Sequence, residues 1–224
     1  MVKRFFITGT DTNIGKTVAA CALLQSAVKR GHRAVGYKPV ASGCSLTQYG
    51  TVSHDALALM SSGNVAINYH QINPFAFIMP TSPHVASRYT GRVIEKTTLS
   101  SGLRKLENSA DWIIIEGAGG WFTPLGVKFT YADWVLSEQL PVIMVVGIKL
   151  GCINHALLTA LAIQQAHLLL VGWIANNLKP MMHYCKDYIA TLQDKINAPL
   201  LGVIPWLDSA EKKHLACYID FSLL

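Results

Sequence analysis

Residues Phe5 to Ala20 read FFITGTDTNIGKTVAA: an apolar run, a glycine turn, a polar loop, Gly-Lys-Thr, then a second apolar run. A strand that ends in a glycine turn and feeds a lysine and a threonine into the first turn of a helix leaves little freedom of architecture. The loop can point several backbone N–H groups at one spot, and the helix start adds the positive end of its dipole. Such a spot suits phosphate. Lys16 can reach the β- and γ-phosphates of a nucleoside triphosphate, and the Thr17 hydroxyl can ligate Mg²⁺. The usual spacing sets a glycine five residues before Gly15. Here that position is Thr10, and the glycine is Gly9, so the loop is one residue longer. A plain turn is the alternative, and the clear strand and helix on either side disfavour it.

The rest of the chain repeats the theme. KRFFITG, RAVGYKPV, DWIIIEG, PVIMVVGI, LLLVGWIAN and PLLGVIP read as strands. Helices are expected at Thr17 to Lys29, DALALMSS, Leu99 to Glu107, YADWVLSEQ, Asn154 to Gln165 and HYCKDYIATLQDKI. INPFAFIMPTSPH is Pro-rich and reads as irregular. The strands lack period-two alternation, as expected when both faces are covered. Strand–helix alternation predicts a single α/β domain over residues 1–224, with one doubly wound, mostly parallel sheet and flanking helices. In such sheets ligands gather beyond the carboxyl ends of the strands.

Composition agrees. Of 224 residues, 51% are hydrophobic and only 14% charged, which suits a large core and argues against disorder. The net charge of +6 is carried by scattered lysines and arginines. That pattern fits an enzyme with an anionic ligand better than a nucleic-acid binder. Five cysteines with no C-x-x-C suggest neither a disulfide framework nor a zinc site. The longest apolar runs fall short of the ~20 residues a membrane helix needs, and the N-terminal apolar run turns polar at Thr8, too early for a signal peptide. A soluble, reducing, cytoplasmic setting is expected.

Several further residues fall just after predicted strands. Glu116 ends DWIIIEG, where an acidic side chain can supply a second metal contact, and the glycines behind it let backbone approach a ligand. Lys38 ends the second strand, where it can stabilise charge on a transferring phosphoryl group or on its acceptor. Asp55 reads as a helix cap, as a third magnesium contact, or as both. Gly151 to Asn154 begin a helix whose N–H groups could hold a carboxylate, although capping by Asn154 is the simpler reading. Asn176 and Asn177 close a strand with two amides, which suit a base edge or a turn equally.

Taken in order, GTDTNIGKT, GYKPVASG, PTSPH, EGAGGWFTPL, LPVIMVVG, KLGCINHALLTA and GWIAN resemble the dethiobiotin synthetases, which close the ureido ring in biotin synthesis with ATP. The resemblance spans essentially the whole chain. It accounts for the long loop, since that family carries GTDT before Gly-Lys-Thr. It implies a P-loop NTPase-type fold and a reaction in which 7,8-diaminopelargonate, CO₂ and Mg-ATP give dethiobiotin, ADP and phosphate. A substrate amine captures CO₂ as a carbamate, ATP phosphorylates it to a carbamic-phosphoric anhydride, and the second amine closes the ring.

The resemblance also implies roles by position. Lys16 and Lys38 are the catalytic cations. Thr12, Asn13, Ile14, Gly15, Lys16, Thr17 and Val18 line the phosphates with Asp55, Glu116, Gly117, Ala118 and Gly119. Asn176, Asn177, Pro205, Trp206, Leu207 and Glu211 hold the adenine side. Thr17, Asp55 and Glu116 are the metal positions, with Mg²⁺ as the cofactor. Ser42 lies near the substrate. The family is a homodimer whose substrate carboxylate rests on the partner's helix start, which moves Gly151, Cys152, Ile153 and Asn154, with Tyr188, into a shared site and displaces the simple capping reading. Two segments depart from the family pattern: CSLTQYGTVSH before Asp55, and the short tail after Trp206. A partitioning-type ATPase switch is the rival fold relative, but such proteins often carry an extra lysine early in the loop, and Thr10 to Ile14 contain none. A ligase with another acceptor is the second rival.

Overall fold

The structure is a computed structural model that describes residues 2–48, 50–180, 183–208 and 214–224. In chain order the elements are β1 (Lys3–Gly9), α1 (Lys16–Lys29), β2 (Ala34–Tyr37), β3 (Val40–Ser42), β4 (Ser45–Thr47), β5 (Gly50–Val52), α2 (His54–Ser62), α3 (Tyr69–Ile72) and β6 (Phe75–Phe77). They continue with α4 (Pro83–Thr90), α5 (Lys96–Glu107), β7 (Trp112–Glu116), α6 (Tyr131–Ser137), β8 (Val142–Ile148), α7 (Cys152–Gln165), β9 (Leu170–Asn177), α8 (Cys185–Lys195) and β10 (Leu200–Ile204). Two short 3₁₀ turns, Ala216–Tyr218 and Phe221–Leu223, close the chain.

Among the described residues, six strands form the main sheet in the order β10-β9-β8-β1-β7-β2, and every pairing is parallel. The sheet is apolar on both faces. Phe6, Ile113 and Ile115 pack on one side beneath α5 and α6. Phe5, Ile7 and Ile114 pack on the other against the α1 residues Ala19, Ala20, Leu23 and Leu24. Small alanines on α1 let its axis approach the sheet closely. Along β8 the alternate residues Met144, Val146 and Ile148 face α7 and α8, while Ile143 and Val145 face α1. Both sets are buried, which is why the strands show no polar alternation.

The chain leaves β1 toward β7 and β2 on one side and later returns to β8 on the other. The loop after β1 therefore lies at a topological switch point, where the crevice opens.

The structure departs from the sequence expectation in two places and adds an element where the sequence set none. The second strand does not run from Arg33 to Val40. It stops at Tyr37 because Pro39 lacks an N–H, and the chain restarts as β3, which pairs with β6 in a separate ribbon. The passage read as irregular holds β6 and leads into α4, which starts on Ser82-Pro83, a favourable pair at a helix N-terminus. The divergent run before Asp55 forms the antiparallel hairpin β4–β5.

Helix α2 lies so close to β2 that a Cβ on Gly36 would sit 2.6 Å from Leu59 Cβ. Gly36→Ala therefore pushes α2 off the sheet. It should cost about 1–3 kcal/mol, as overpacking of a filled core does, read as a lowered urea midpoint with an unchanged slope.

Candidate active site

The sheet register brings the key charges together. Tyr37 pairs with Ile115, so Lys38 emerges beside Glu116 at the carboxyl edge. Lys38 Nζ reaches Glu116 Oε1 at 2.7 Å and Asp55 Oδ2 at 3.0 Å, and it also donates to the Gly117 carbonyl at 3.2 Å. Lys38 is 3% exposed and Glu116 1%, so this is a buried ion pair with a third charge at its rim. The Thr17 hydroxyl donates to the same Glu116 Oε1 at 2.8 Å. Burial works against the Lys38 ammonium, but the Glu116 and Asp55 carboxylates outweigh it and hold Lys38 above its ordinary range. Burial likewise opposes charge on Asp55, and the Lys38 ammonium overrides it, keeping that carboxyl below its usual value. Glu116 is pushed up by burial and by Asp55, against the pull of Lys38.

Backbone and side-chain bonds fix this triad. The Lys38 N–H donates to the Ile72 carbonyl at 2.9 Å, and the Asn73 amide donates to the Lys38 carbonyl at 2.7 Å. Asn73 in turn accepts from the Tyr69 hydroxyl, and that hydroxyl accepts the Ser53 N–H. Ser53 is the cap of α2, its side chain accepting from the Ala56 N–H. Asp55 is thus a first-turn residue and not the cap.

The phosphate loop is held differently. The N–H groups of residues 11 to 14 make no backbone–backbone hydrogen bond among the described residues; the Thr12 N–H donates to Asp11 Oδ1, which leaves those of Asp11, Asn13 and Ile14 for an anion. Asn13 and Gly15 both have positive φ, 56° and 90°. Gly15 has no alternative, since a Cβ there would lie 2.1 Å from the Asn176 amide nitrogen. That amide donates to the Ile14 carbonyl at 2.9 Å. Lys16 Nζ donates to the Asp11 carbonyl at 2.8 Å, and burial, with the nearby Lys38 charge, draws its pKa down to about 8.

One cavity of about 390 Å³ is lined by Thr12, Asn13, Ile14, Gly15, Lys16, Thr17 and Val18, by Lys38 and Ser42, and by Asp55, Glu116, Ala118 and Gly119. Gly117 contributes its carbonyl to Lys38 and does not line the cavity. A second cavity of about 180 Å³ joins Asn13, Gly15 and Val18 to Asn176, Asn177, Pro205, Trp206 and Leu207. Glu211 lies outside the described residues. A third, about 530 Å³, runs from Thr12 and Ser42 to Pro80–Pro83 and Thr123.

The residues expected to hold the substrate carboxylate are not brought to these cavities. Helix α7 starts at Cys152 with Gly151 (φ 89°) at its cap, so Asn154 lies inside the first turn and caps nothing. Cys152 is buried, and Tyr188 packs beside Ile153 and Leu157 on the same apolar cluster. Sequence reasoning missed Asn73, Thr123, Asp11 and Lys149. PTSPH and EGAGGWFTPL contained the first hints of the third cavity, whereas nothing local marks Asn73.

The site fits a hard divalent cation. No group of three His, Cys, Asp or Glu residues able to hold a metal occurs among the described residues. Yet Glu116 Oε2 is buried without a partner, beside Asp55 and the Thr17 hydroxyl. Two carboxylates and a hydroxyl, completed by phosphate oxygens, make a typical magnesium set.

A parallel sheet with a Gly-Lys-Thr loop at its switch point, opposite a strand-end acid, defines a P-loop nucleotide-binding protein. Comparisons agree and sharpen this. A family model described as an AAA domain matches residues 3–214. The "ATP-dependent dethiobiotin synthetase BioD" of Baumannia cicadellinicola subsp. Homalodisca coagulata is 58% identical over 224 residues, covering all of both chains. The "ATP-dependent dethiobiotin synthetase BioD 1" of Escherichia coli (strain K12) is 55% identical over 225 residues, again covering all of both. Among solved structures, a ParA family ATPase from Chlorobium tepidum TLS has a TM-score of 0.59 at 14% identity, over 98% of this chain and 91% of that one. The septum site-determining protein MinD from Pyrococcus horikoshii OT3 gives 0.56 at 16%, over 98% and 87%. Those two carry the fold alone. The chain belongs to the dethiobiotin synthetase family of ATP-dependent ligases.

Lys38→Met strands Glu116 in the core. It should destabilise the protein by about 3–5 kcal/mol, measured by chemical denaturation in EDTA. Adding Glu116→Gln should recover most of that loss, since the stranded charge is then gone.

Proposed function

We propose that the chain closes the ureido ring of dethiobiotin from 7,8-diaminopelargonate, CO₂ and ATP, releasing ADP and phosphate. The observation that carries this reading is the convergence of Lys16, Lys38, Thr17, Asp55 and Glu116 on one cavity. Both reactants are anionic there, a triphosphate and a carbamate, and they must approach each other.

The loop N–H groups and the N-terminus of α1 receive the β- and γ-phosphates. Lys16 leaves the Asp11 carbonyl to neutralise them. Thr17, Asp55 and Glu116 hold Mg²⁺, which supplies charge neutralisation and orientation of the phosphates. Lys38 faces the cavity from the opposite wall, protonated, where it binds the carbamate and takes up charge as phosphorus moves between oxygens. Ser42 and Thr12 sit where the first and third cavities meet, so the diamine lies in the third with its reacting end at Lys38. The second amine then displaces phosphate. The protein's share is positioning and electrostatics. Adenine occupies the small cavity between Asn176, Pro205 and Leu207.

Gly151 to Asn154 and Tyr188 serve a neighbouring copy in this reading, and the active form is a homodimer. Supporting it, Leu150, Leu158, Leu161 and Tyr184 are exposed on that side, at 87%, 57%, 51% and 66%. No helix among the described residues is long and apolar enough to cross a membrane, which suits the cytoplasmic setting proposed.

ADP release from purified protein with Mg-ATP and bicarbonate should depend on diaminopelargonate, and dethiobiotin should form in equal amount. ATP turnover indifferent to the diamine would reject the acceptor.

A further inference from the structure

The loop that meets the phosphates makes no backbone–backbone bond through residues 11 to 14 among the described residues, so side chains must hold its shape. Asn176 is one strut, on the Ile14 carbonyl. The other is Asp11, which is used at three atoms. Its Oδ1 accepts the Thr12 N–H at 2.8 Å, its carbonyl accepts Lys16 Nζ at 2.8 Å, and its Oδ2 accepts Lys149 Nζ at 2.6 Å.

Lys149 comes from the turn after β8, 138 residues away. That turn is itself fixed, because the Lys149 carbonyl accepts the N–H of Cys152, the first residue of α7. Thr10, just before Asp11, is tied to the same strand through Val145. Lys149 does not line the cavity. Among the described residues, its contact with the loop is through Asp11.

We propose that Lys149 and Asp11 are positioning residues for nucleotide binding. Lys149 fixes the Asp11 side chain. Asp11 then fixes the Thr12 amide and the carbonyl on which Lys16 waits, so the loop is already shaped when the triphosphate arrives. The pair is roughly two-fifths exposed on each side, 39% and 43%, so it adds little to global stability. Its contribution falls on preorganisation of the ligand site. The inference needs only the nucleotide, not the acceptor, and holds whichever diamine is used.

Equilibrium binding of a non-hydrolysable ATP analogue with Mg²⁺, by calorimetry, tests it in the full chain. Lys149→Met should raise Kd about ten-fold with the melting temperature unchanged. Lys149→Arg should restore binding to within about two-fold of the parent. Asp11→Asn keeps the acceptor for Thr12 but loses the ion pair, and should match Lys149→Met. The double variant should be no weaker than the worse single, because both changes cut one link. In turnover, KM for ATP should rise while kcat and KM for the diamine hold. An unchanged Kd in either single variant overturns the proposal. So does a double variant whose loss is the product of the two, since Lys149 would then act on the phosphates directly. A missing diamine-dependent turnover would instead count against the acceptor and leave these Kd values to decide the role of Lys149 and Asp11.

Discussion

A buried ammonium–carboxylate contact sits at the centre of this molecule. Lys38 and Glu116 are both nearly inaccessible, and they meet because β2 and β7 are neighbours in parallel register. Desolvating two charges is expensive, and the contact repays it only with additional bonds. Those come from Asp55, the Gly117 carbonyl and the Thr17 hydroxyl. These partners arrive from α2, the end of β7 and α1, so the full set of bonds is complete only once β2, β7, α1 and α2 are all in place. The site is thereby tied to the completed fold. A hydrophobic pair would pack as well here, but it would offer nothing to a phosphoryl group.

The surrounding structure reads as the means of holding that contact at the crevice edge. With Pro39 one residue after Lys38, the chain leaves the sheet once β2 has ended at Tyr37, and Lys38 lines the cavity at the strand end. Asn73, Tyr69 and Ser53 then pass a line of hydrogen bonds from the Lys38 carbonyl to the cap of α2, two residues from Asp55. The lysine and the aspartate of this ion pair are in this way positioned by a common scaffold. The phosphate loop follows the opposite rule. Its amides from Asp11 to Ile14 make no backbone–backbone bond among the described residues, the Thr12 N–H donates to Asp11 Oδ1, and its shape rests on the side chains of Asn176 and Asp11.

What the sequence disclosed, and what it withheld, follows the same division. The strand, loop and α1 were legible because every signal is local: apolar run, glycine, Gly-Lys-Thr, alanine-rich helix. Glu116 was legible as a strand-end acid, and Lys38 as a strand-end lysine. Their contact was not, since register between strands 78 residues apart leaves no local mark. The break at Pro39 was present in the sequence but was overridden by the apolar run around it. Helix α4 was hidden in a Pro-rich passage although Ser82-Pro83 is itself a helix-start signal. Asn73 has the composition of any turn residue, and only the fold shows it beneath Lys38. Asp11 and Lys149 carry opposite charges at positions that no pattern would pair.

Two helices in the chain begin alike. Both α1 and α7 open on a glycine in the left-handed region, Gly15 at φ 90° and Gly151 at φ 89°, with no side-chain cap and no acidic residue in the first turn. A glycine at the cap forgoes roughly a few tenths of a kcal/mol that serine or aspartate would supply. For α1 the reason is visible under the proposed function, because its start lines the cavity assigned to the phosphates. The start of α7 lines no cavity with Lys16 or Lys38, yet the Ile153 and Asn154 N–H groups there make no backbone–backbone bond among the described residues, beside exposed Leu150. Under the proposed homodimer the two starts play one role, each receiving an anion, phosphate within the subunit and carboxylate across the interface. Lys149, two residues before Gly151, would then join them, since its ammonium braces the phosphate loop while its carbonyl anchors α7. A single residue would tie the phosphate loop of its own site to the carboxylate-binding helix start of the partner's site.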